Sequence, residues 1–249
     1  MIDYTDCNSP ATNDPTPIPE SKYSSYFKVA TVTKPTWQIS TSDETPPYGV
    51  RQNNSRVCTL QFYIPNDIGP PVLLYYRLTS FYQNHRRYVK SLDTSQLNGE
   101  ALDNNTISKS ACDPIRNAPN GKPYYPCGLI ANSLFNDTIE SPVWLDAQHS
   151  SSMNETYHMS NKGIAWKSDA ALYSKTAYTN DQVMPPPNWY DRYPHGYTDQ
   201  NPIPNLSQYE EFQVWMRTAG LPTFSKLALR NDNQTMKTGM YSLRVVDCK

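Results

Sequence analysis

Apolar and polar residues alternate most cleanly from Val57 to Ile64, with Cys58, Leu60, Phe62 and Ile64 on one side and Thr59, Gln61 and Tyr63 on the other. Successive side chains of a pleated chain point to opposite faces, so this spacing predicts a strand with one buried face. Val72 to Leu78, β-branched and aromatic after Pro70-Pro71, predicts a second strand. Met240 to Val246, with Tyr241, Leu243 and Val245 on one side, predicts a third. From Phe212 to Met216 the pattern fits a strand carrying Phe212, Val214 and Met216 together or one helical turn; Pro222 close behind favours the strand. Residues 1–24 read as an extended arm without packed structure, because Pro10, Pro15, Pro17 and Pro19 lie there among Asn, Thr and Ser. Residues 183–206, with Pro185-Pro186-Pro187, Pro194, Pro202 and Pro204, read as a long irregular excursion laden with Tyr and Trp. Short strands joined by long polar connections describe a mainly β chain, an antiparallel sandwich over a single domain of residues 1–249.

Composition sharpens this picture. The 22 prolines against 9 glycines argue against long helices, because proline lacks the backbone donor that a helix interior requires. The 19 Tyr, 6 Phe and 5 Trp predict a core built on aromatic rings more than on aliphatic ones. With 22 Lys+Arg against 23 Asp+Glu, no global field favours nucleic acid, so any partner must be chosen by local features. No stretch reaches the roughly 18 apolar residues of a membrane span, and Met1-Ile2-Asp3-Tyr4 does not open a signal peptide. The chain is then either cytosolic or a piece excised from a longer protein.

Chemistry-bearing motifs are sparse. The sequence holds no G-x-G-x-x-G, no G-x-x-x-x-G-K-[ST] and no G-x-S-x-G, so nucleotide-binding and serine-hydrolase readings lack their turns. The four His stand apart, with no H-E-x-x-H, and no metal or other cofactor is expected beyond N-linked glycans. Glu210, Glu211, Asp191 and Asp199 near Trp189 and Trp215 leave open a carbohydrate-binding module or a two-carboxylate glycosidase. Cys7, Cys58, Cys112, Cys127 and Cys248 include no C-x-x-C pair. Sequence neighbours suggest Cys7 with Cys58 and Cys112 with Cys127, though spacing alone does not fix pairing and leaves buried thiols as the alternative. Six glycosylation sequons begin at Asn53, Asn104, Asn136, Asn154, Asn205 and Asn233, against roughly four expected from composition. The densest positive run, His85-Arg86-Arg87-Tyr88-Val89-Lys90, reads either as an exposed strand or turn face or as a docking site for an acidic loop or lipid headgroups.

At that run the sequence resembles a family. Tyr75-Tyr76-Arg77-Leu78, Phe81 to Ser91 and Gln96-Leu97-Asn98-Gly99 are followed in order by Cys112-Asp113-Pro114, Pro126 to Thr138, Gly163-Ile164-Ala165-Trp166 and Val214 to Phe224. These blocks resemble the ligand-effect modulator, or cell-division-control-fifty, proteins, the non-catalytic beta subunits of type IV P-type ATPase phospholipid flippases. The resemblance extends from residue 2 to about residue 245. It implies a jelly-roll-like exoplasmic domain between two transmembrane helices that are absent from this chain, on the lumenal side of ER, Golgi or endosomal membranes or at the plasma membrane. It implies a Cys112 with Cys127 disulfide and a glycan at Asn136; likeness to fungal-type members supports Cys7 with Cys58. The implied partner is the ATPase alpha subunit, whose folding, ER exit and transport cycle the domain would support without catalysing anything itself. Candidate contact residues are His85, Arg86, Arg87, Tyr88, Trp215 and Arg217. Gly220 departs from the family's usual Ala, and the family segment after the last strand is missing.

Overall fold

The computed structural model describes residues 1–7, 14–30, 33–44, 52–145 and 154–246; the remainder, and the side chains of 43–44 and 52–54, lie outside the description. Cys248 is therefore outside it, and Asn53 is described by its backbone alone. The strands are β1 (Thr16–Pro17), β2 (Thr36–Glu44), β3 (Gln52–Ile64), β4 (Val72–Leu78), β5 (Thr138–Ile139), β6 (Val143–Leu145), β7 (Asn154–Thr156), β8 (Phe224–Asn231) and β9 (Gly239–Val246). The helices are α1 (Arg86–Lys90), α2 (Thr94–Leu97), α3 (Asn104–Lys109), α4 (Leu129–Asn132), α5 (Lys167–Ala170) and α6 (Glu210–Met216). Among the described residues no helix is long and apolar enough to cross a membrane.

The architecture is mainly β and antiparallel, as the pattern predicts. One sheet runs β1-β2-β3-β9-β6-β7, with β5 also paired to β9, and a separate ribbon pairs β4 with β8. Strand β3 holds the centre, pairing Leu60 with Trp37 on one side and with Leu243 on the other. Its alternation is largely realised: Cys58, Leu60 and Ile64 are buried, while Phe62 on the same face is half-buried like Thr59, Gln61 and Tyr63 opposite, and a slip of one residue would expose the buried three.

Two disulfides are formed, Cys7–Cys58 and Cys112–Cys127. The first draws the N-terminal arm onto β3. The described part of that arm, residues 1–7 and 14–24, is packed, contrary to expectation. Thr16 and Pro17 pair with Trp37 and Thr36, Ile18 is buried, and the Ile18 amide donates to the Pro35 carbonyl at 2.9 Å. Proline density removes donors; it does not prevent an edge strand from burying an isoleucine.

Residues 212–216 are helical, which corrects the strand reading. Phe212, Trp215 and Met216 form a buried i, i+3, i+4 stripe, whereas Val214, which a strand would have placed with them, is only half-buried. Glu210 and Glu211 occupy the first turn, where the helix dipole favours negative charge. The basic run is also helical, as α1, and His85, Arg86 and Arg87 are exposed.

Residues 183–206 are irregular in backbone but central in packing. Val183, Trp189, Tyr193, Tyr197 and Leu206 join Tyr125, Phe212 and Trp215 in the main core. Tyr193 meets Tyr197 edge-on at 4.8 Å, and Trp189 meets Phe212 at 6.1 Å. Side chains satisfy backbone donors that the proline-rich chain cannot pair in ladders: Asn132 accepts from the Asn188 amide at 3.0 Å and Asn180 from the Ile203 amide at 3.2 Å. The segment is core, not an excursion, because ring burial compensates for missing secondary structure.

Candidate functional site

The sequence blocks that stand far apart along the chain meet at α4. Gly128, which opens this helix, has φ of +99°, and a Cβ there would collide with the Ser91 carbonyl oxygen. Only glycine allows that approach. The Ser91 hydroxyl donates to the Asp113 carbonyl and accepts from the Leu129 amide, both at 2.9 Å. The buried Gln96 carboxamide accepts from the Cys127 amide at 2.9 Å and donates to the Tyr124 carbonyl at 3.0 Å. Two indoles close the far end of α4: Trp215 donates to the Ile130 carbonyl at 2.8 Å and Trp189 to that of Ala131 at 3.0 Å.

Behind α4 two loops are stitched together. The buried Gln83 accepts from the Ala219 amide at 2.9 Å, Asn84 donates to the Gly220 carbonyl at 3.0 Å, and the Phe81 amide donates to the Pro222 carbonyl at 3.0 Å. Beneath them the Lys226 ammonium donates to the carbonyls of Val214 at 2.9 Å, Trp215 at 3.1 Å and Arg217, capping the C-terminal end of α6. Burial and the neighbouring Arg217 guanidinium lower this lysine to about 8.

This framework presents a mixed surface. Leu221 is 70% exposed, Trp166 62% and Tyr82 61%. The Arg217 guanidinium lies 3.4 Å from the Trp166 ring centroid and pairs with Asp169 at 3.1 Å, so charge and ring are fixed as one plate. Arg87 pairs with Asp113 at 2.6 Å, and the Tyr88 hydroxyl shares a hydrogen bond with Ser133 at 2.7 Å. Exposed large apolar groups beside fixed cations are the ingredients of a protein-binding face.

Of the predicted contact residues, His85, Arg86, Arg87 and Arg217 lie at the surface and Tyr88 is half-buried. Trp215 does not belong with them: it is 1% exposed and serves the core, because its apolar ring and single N–H are both satisfied inside. Trp166, exposed and stacked against Arg217, is absent from the predicted contact residues although it stands inside one of the family-like blocks. Two carboxylates of the glycosidase alternative, Glu210 and Asp199, are engaged in structural hydrogen bonds. Glu210 accepts from the Ile164 and Ala165 amides at 2.9 and 3.1 Å, Asp199 accepts from Asn180 at 3.2 Å, and Trp189 and Trp215 offer no exposed ring for a sugar. Among the sequons Asn104, Asn154 and Asn233 are exposed, while Asn136 and Asn205 are half-buried.

The sequence model described as the LEM3 (ligand-effect modulator 3) family / CDC50 family matches residues 1–248. The phospholipid-transporting ATPase accessory subunit CDC50 of Chaetomium thermophilum is 43% identical over 251 residues, covering 98% of this chain and 61% of that protein. The accessory subunit CRF1 of Saccharomyces cerevisiae is 41% identical, covering 97% of this chain and 58% of that protein. Cell cycle control protein 50A of Mus musculus is 37% identical over 77% of this chain and 54% of its own length. The chain thus spans between 54% and 61% of these relatives. A family match along nearly the whole chain, and structural roles in one core for the blocks that carry it, establish that the chain belongs to the LEM3/CDC50 family.

Proposed function

We propose that this chain is the exoplasmic domain of the non-catalytic accessory subunit of a phospholipid-transporting type IV P-type ATPase, anchored by membrane helices outside the chain. The observation that carries this reading is the family match over residues 1–248, with fungal relatives named as accessory subunits of phospholipid-transporting ATPases. The domain sits on the exoplasmic loops of the alpha subunit, supports its folding and exit from the ER, and accompanies its transport cycle; hydrolysis and lipid transfer belong to the partner. Its place is the lumenal side of ER, Golgi or endosomal membranes or the outer face of the plasma membrane, with N-glycans on exposed sequons. Two disulfides and a core of interlocked rings suit a rigid platform, and the Trp166–Arg217 plate with Leu221 and Tyr82 supplies contact groups.

Co-expression of the full-length protein with type IV P-type ATPases from the same cell, followed by affinity purification, tests the reading. Stoichiometric recovery of an ATPase, and its retention in the ER when the accessory protein is depleted, is the expected result. Recovery of none of them overturns it.

A further inference from the structure

Beside the β4–β8 ribbon and α6 lies a cavity of about 290 Å³ that the stitched loops and the disulfides leave unused. Its walls combine two chemistries. Tyr76 and Phe135 stack at 3.9 Å between ring centroids, with Leu229 nearby, and two carboxylic side chains, Asp137 and Glu211, share the lining with the Arg192 guanidinium.

Most of the polar atoms here already have partners. The Tyr4 hydroxyl donates to Asp137 at 2.9 Å. Arg192 donates through Nη2 to the Asn136 carbonyl at 2.7 Å and through Nη1 to the Tyr209 hydroxyl at 3.3 Å. Glu211 Oε1 accepts from Asn161 at 2.5 Å. Two atoms remain: Glu211 Oε2 and Arg192 Nε are buried without a hydrogen-bond partner among the described residues, and Arg192 as a whole is only 7% exposed. Each has lost its water without gaining a protein partner, the costly half of a hydrogen bond. The cavity therefore lacks a donor for the Glu211 carboxylate oxygen and an acceptor for the Arg192 guanidinium N–H, in a partly aromatic space. A primary ammonium a few bonds from an oxygen acceptor satisfies both, and the rings favour the positive charge.

The two described ends of the chain run beside this lining. Tyr4 contacts Asp137, and Val245 and Val246 of β9 pair with Ile139 and Thr138 of β5; all three partners border the cavity. If membrane helices continue from these ends, as the proposed function has it, the cavity lies on the membrane side of the domain. We propose that it binds the primary-ammonium head of an amphipathic hydroxyalkylamine, for which an ethanolamine phospholipid is the membrane source and free ethanolamine the soluble one. The ligand chemistry rests on the cavity; only its membrane source rests on the proposed function.

Calorimetric titration of the detergent-purified full-length protein with ethanolamine, choline, and the dihexanoyl phospholipids of each tests the site. Saturable binding of at least one ethanolamine compound, about tenfold tighter than its choline counterpart, is expected, because a quaternary ammonium has no N–H for Glu211. Binding of the lipid alone assigns the membrane source, and equal binding of lipid and free amine assigns recognition of the ammonium itself. Ala228→Ile, which fills the cavity from β8, and Glu211→Gln each weaken binding about tenfold or more, with unchanged thermal midpoints reporting that the variants fold. If Ala228→Ile fails to fold, Glu211→Gln decides. No saturable heat from either ethanolamine compound, equal affinity for the choline compounds, or binding unaffected in a folded Glu211→Gln protein overturns the site. Failure to recover an ATPase leaves this titration readable, so the two failures are distinguishable.

Discussion

Lys226, on strand β8, donates its ammonium to the backbone carbonyl of Val214 at 2.9 Å and so ties the last turn of α6 to the ribbon beneath it. The same ammonium serves Trp215 and Arg217, in place of the glycine cap that commonly closes a helix. Replacing it with Met leaves three carbonyls without this donor, and we expect a loss of about 2 kcal/mol at pH 7, read from urea unfolding.

The same lysine gives a signed pH dependence. Its folded value of about 8 lies below the ordinary value of 10.5, so between these limits the unfolded chain holds more protons and stability rises with pH. Below pH 8 the contribution is flat. The stability gap between the wild type and Lys226→Met should widen by on the order of 1 kcal/mol from pH 7 to pH 9. A gap that narrows would refute the lowered value.

Buried tyrosines act with the opposite sign at higher pH. Burial pushes Tyr76, Tyr125, Tyr173 and Tyr197 well up, and Tyr124 and Tyr241 up to about 12. Above about pH 10 the unfolded chain loses these protons first, so stability falls as pH rises through and beyond the ordinary tyrosine value. Phenolate absorbance from the buried rings should therefore appear in one steep step coincident with loss of circular dichroism.

Glycines 128 and 220 should respond in opposite ways to alanine. Gly128→Ala forces a Cβ onto the Ser91 carbonyl in a left-handed conformation, and a loss on the order of 3–4 kcal/mol or failure to fold is expected. At Gly220 nothing lies within 4 Å of the position a Cβ would take, so Gly220→Ala should change the melting midpoint little. Thermal unfolding of the two variants side by side checks both.

Disulfide removal should scale with the loop closed. Separations of 51 residues for Cys7–Cys58 and 15 for Cys112–Cys127 correspond to about 4 and 3 kcal/mol in the chain-entropy account. Paired Cys→Ser variants, compared by denaturant midpoint, measure the difference.

On the exposed face, Leu221→Asp and Trp166→Ala should leave stability within about 0.5 kcal/mol, as surface changes usually do. The same variants in the full-length protein should lower recovery of the ATPase severalfold. Unchanged recovery from the double variant would remove this face from the interface.

The legible part of this molecule is local. Strands β3 and β9 could be read because apolar and polar residues alternate along each, and Cys7 with Cys58 could be suggested because they are neighbours among the cysteines and the family resemblance supports the pair. The ordered blocks marked α4 and its surroundings because Gly128, Gln96 and Trp215 each answer a backbone need there. The strand assigned to Phe212–Met216 failed because five residues fit either period, and the partner that decides, the floor of α4 and the aromatic segment 183–206, arrives from far along the chain. Trp215, expected at the surface, is buried, whereas Trp166 is exposed, and no local pattern separates a satisfied buried indole from an exposed one.

The sequence by itself determined the mainly β class, the aromatic character of the core, the family and the residues able to form disulfides, because these depend on side-chain identity and short-range spacing. Tertiary structure alone decided that a proline-rich segment becomes core, that Lys226 caps a helix eleven residues before it through Trp215, and that Asp137, Arg192 and Glu211 share one cavity. Those outcomes depend on which distant groups meet when apolar area is buried, and on which polar groups are then left to find partners inside.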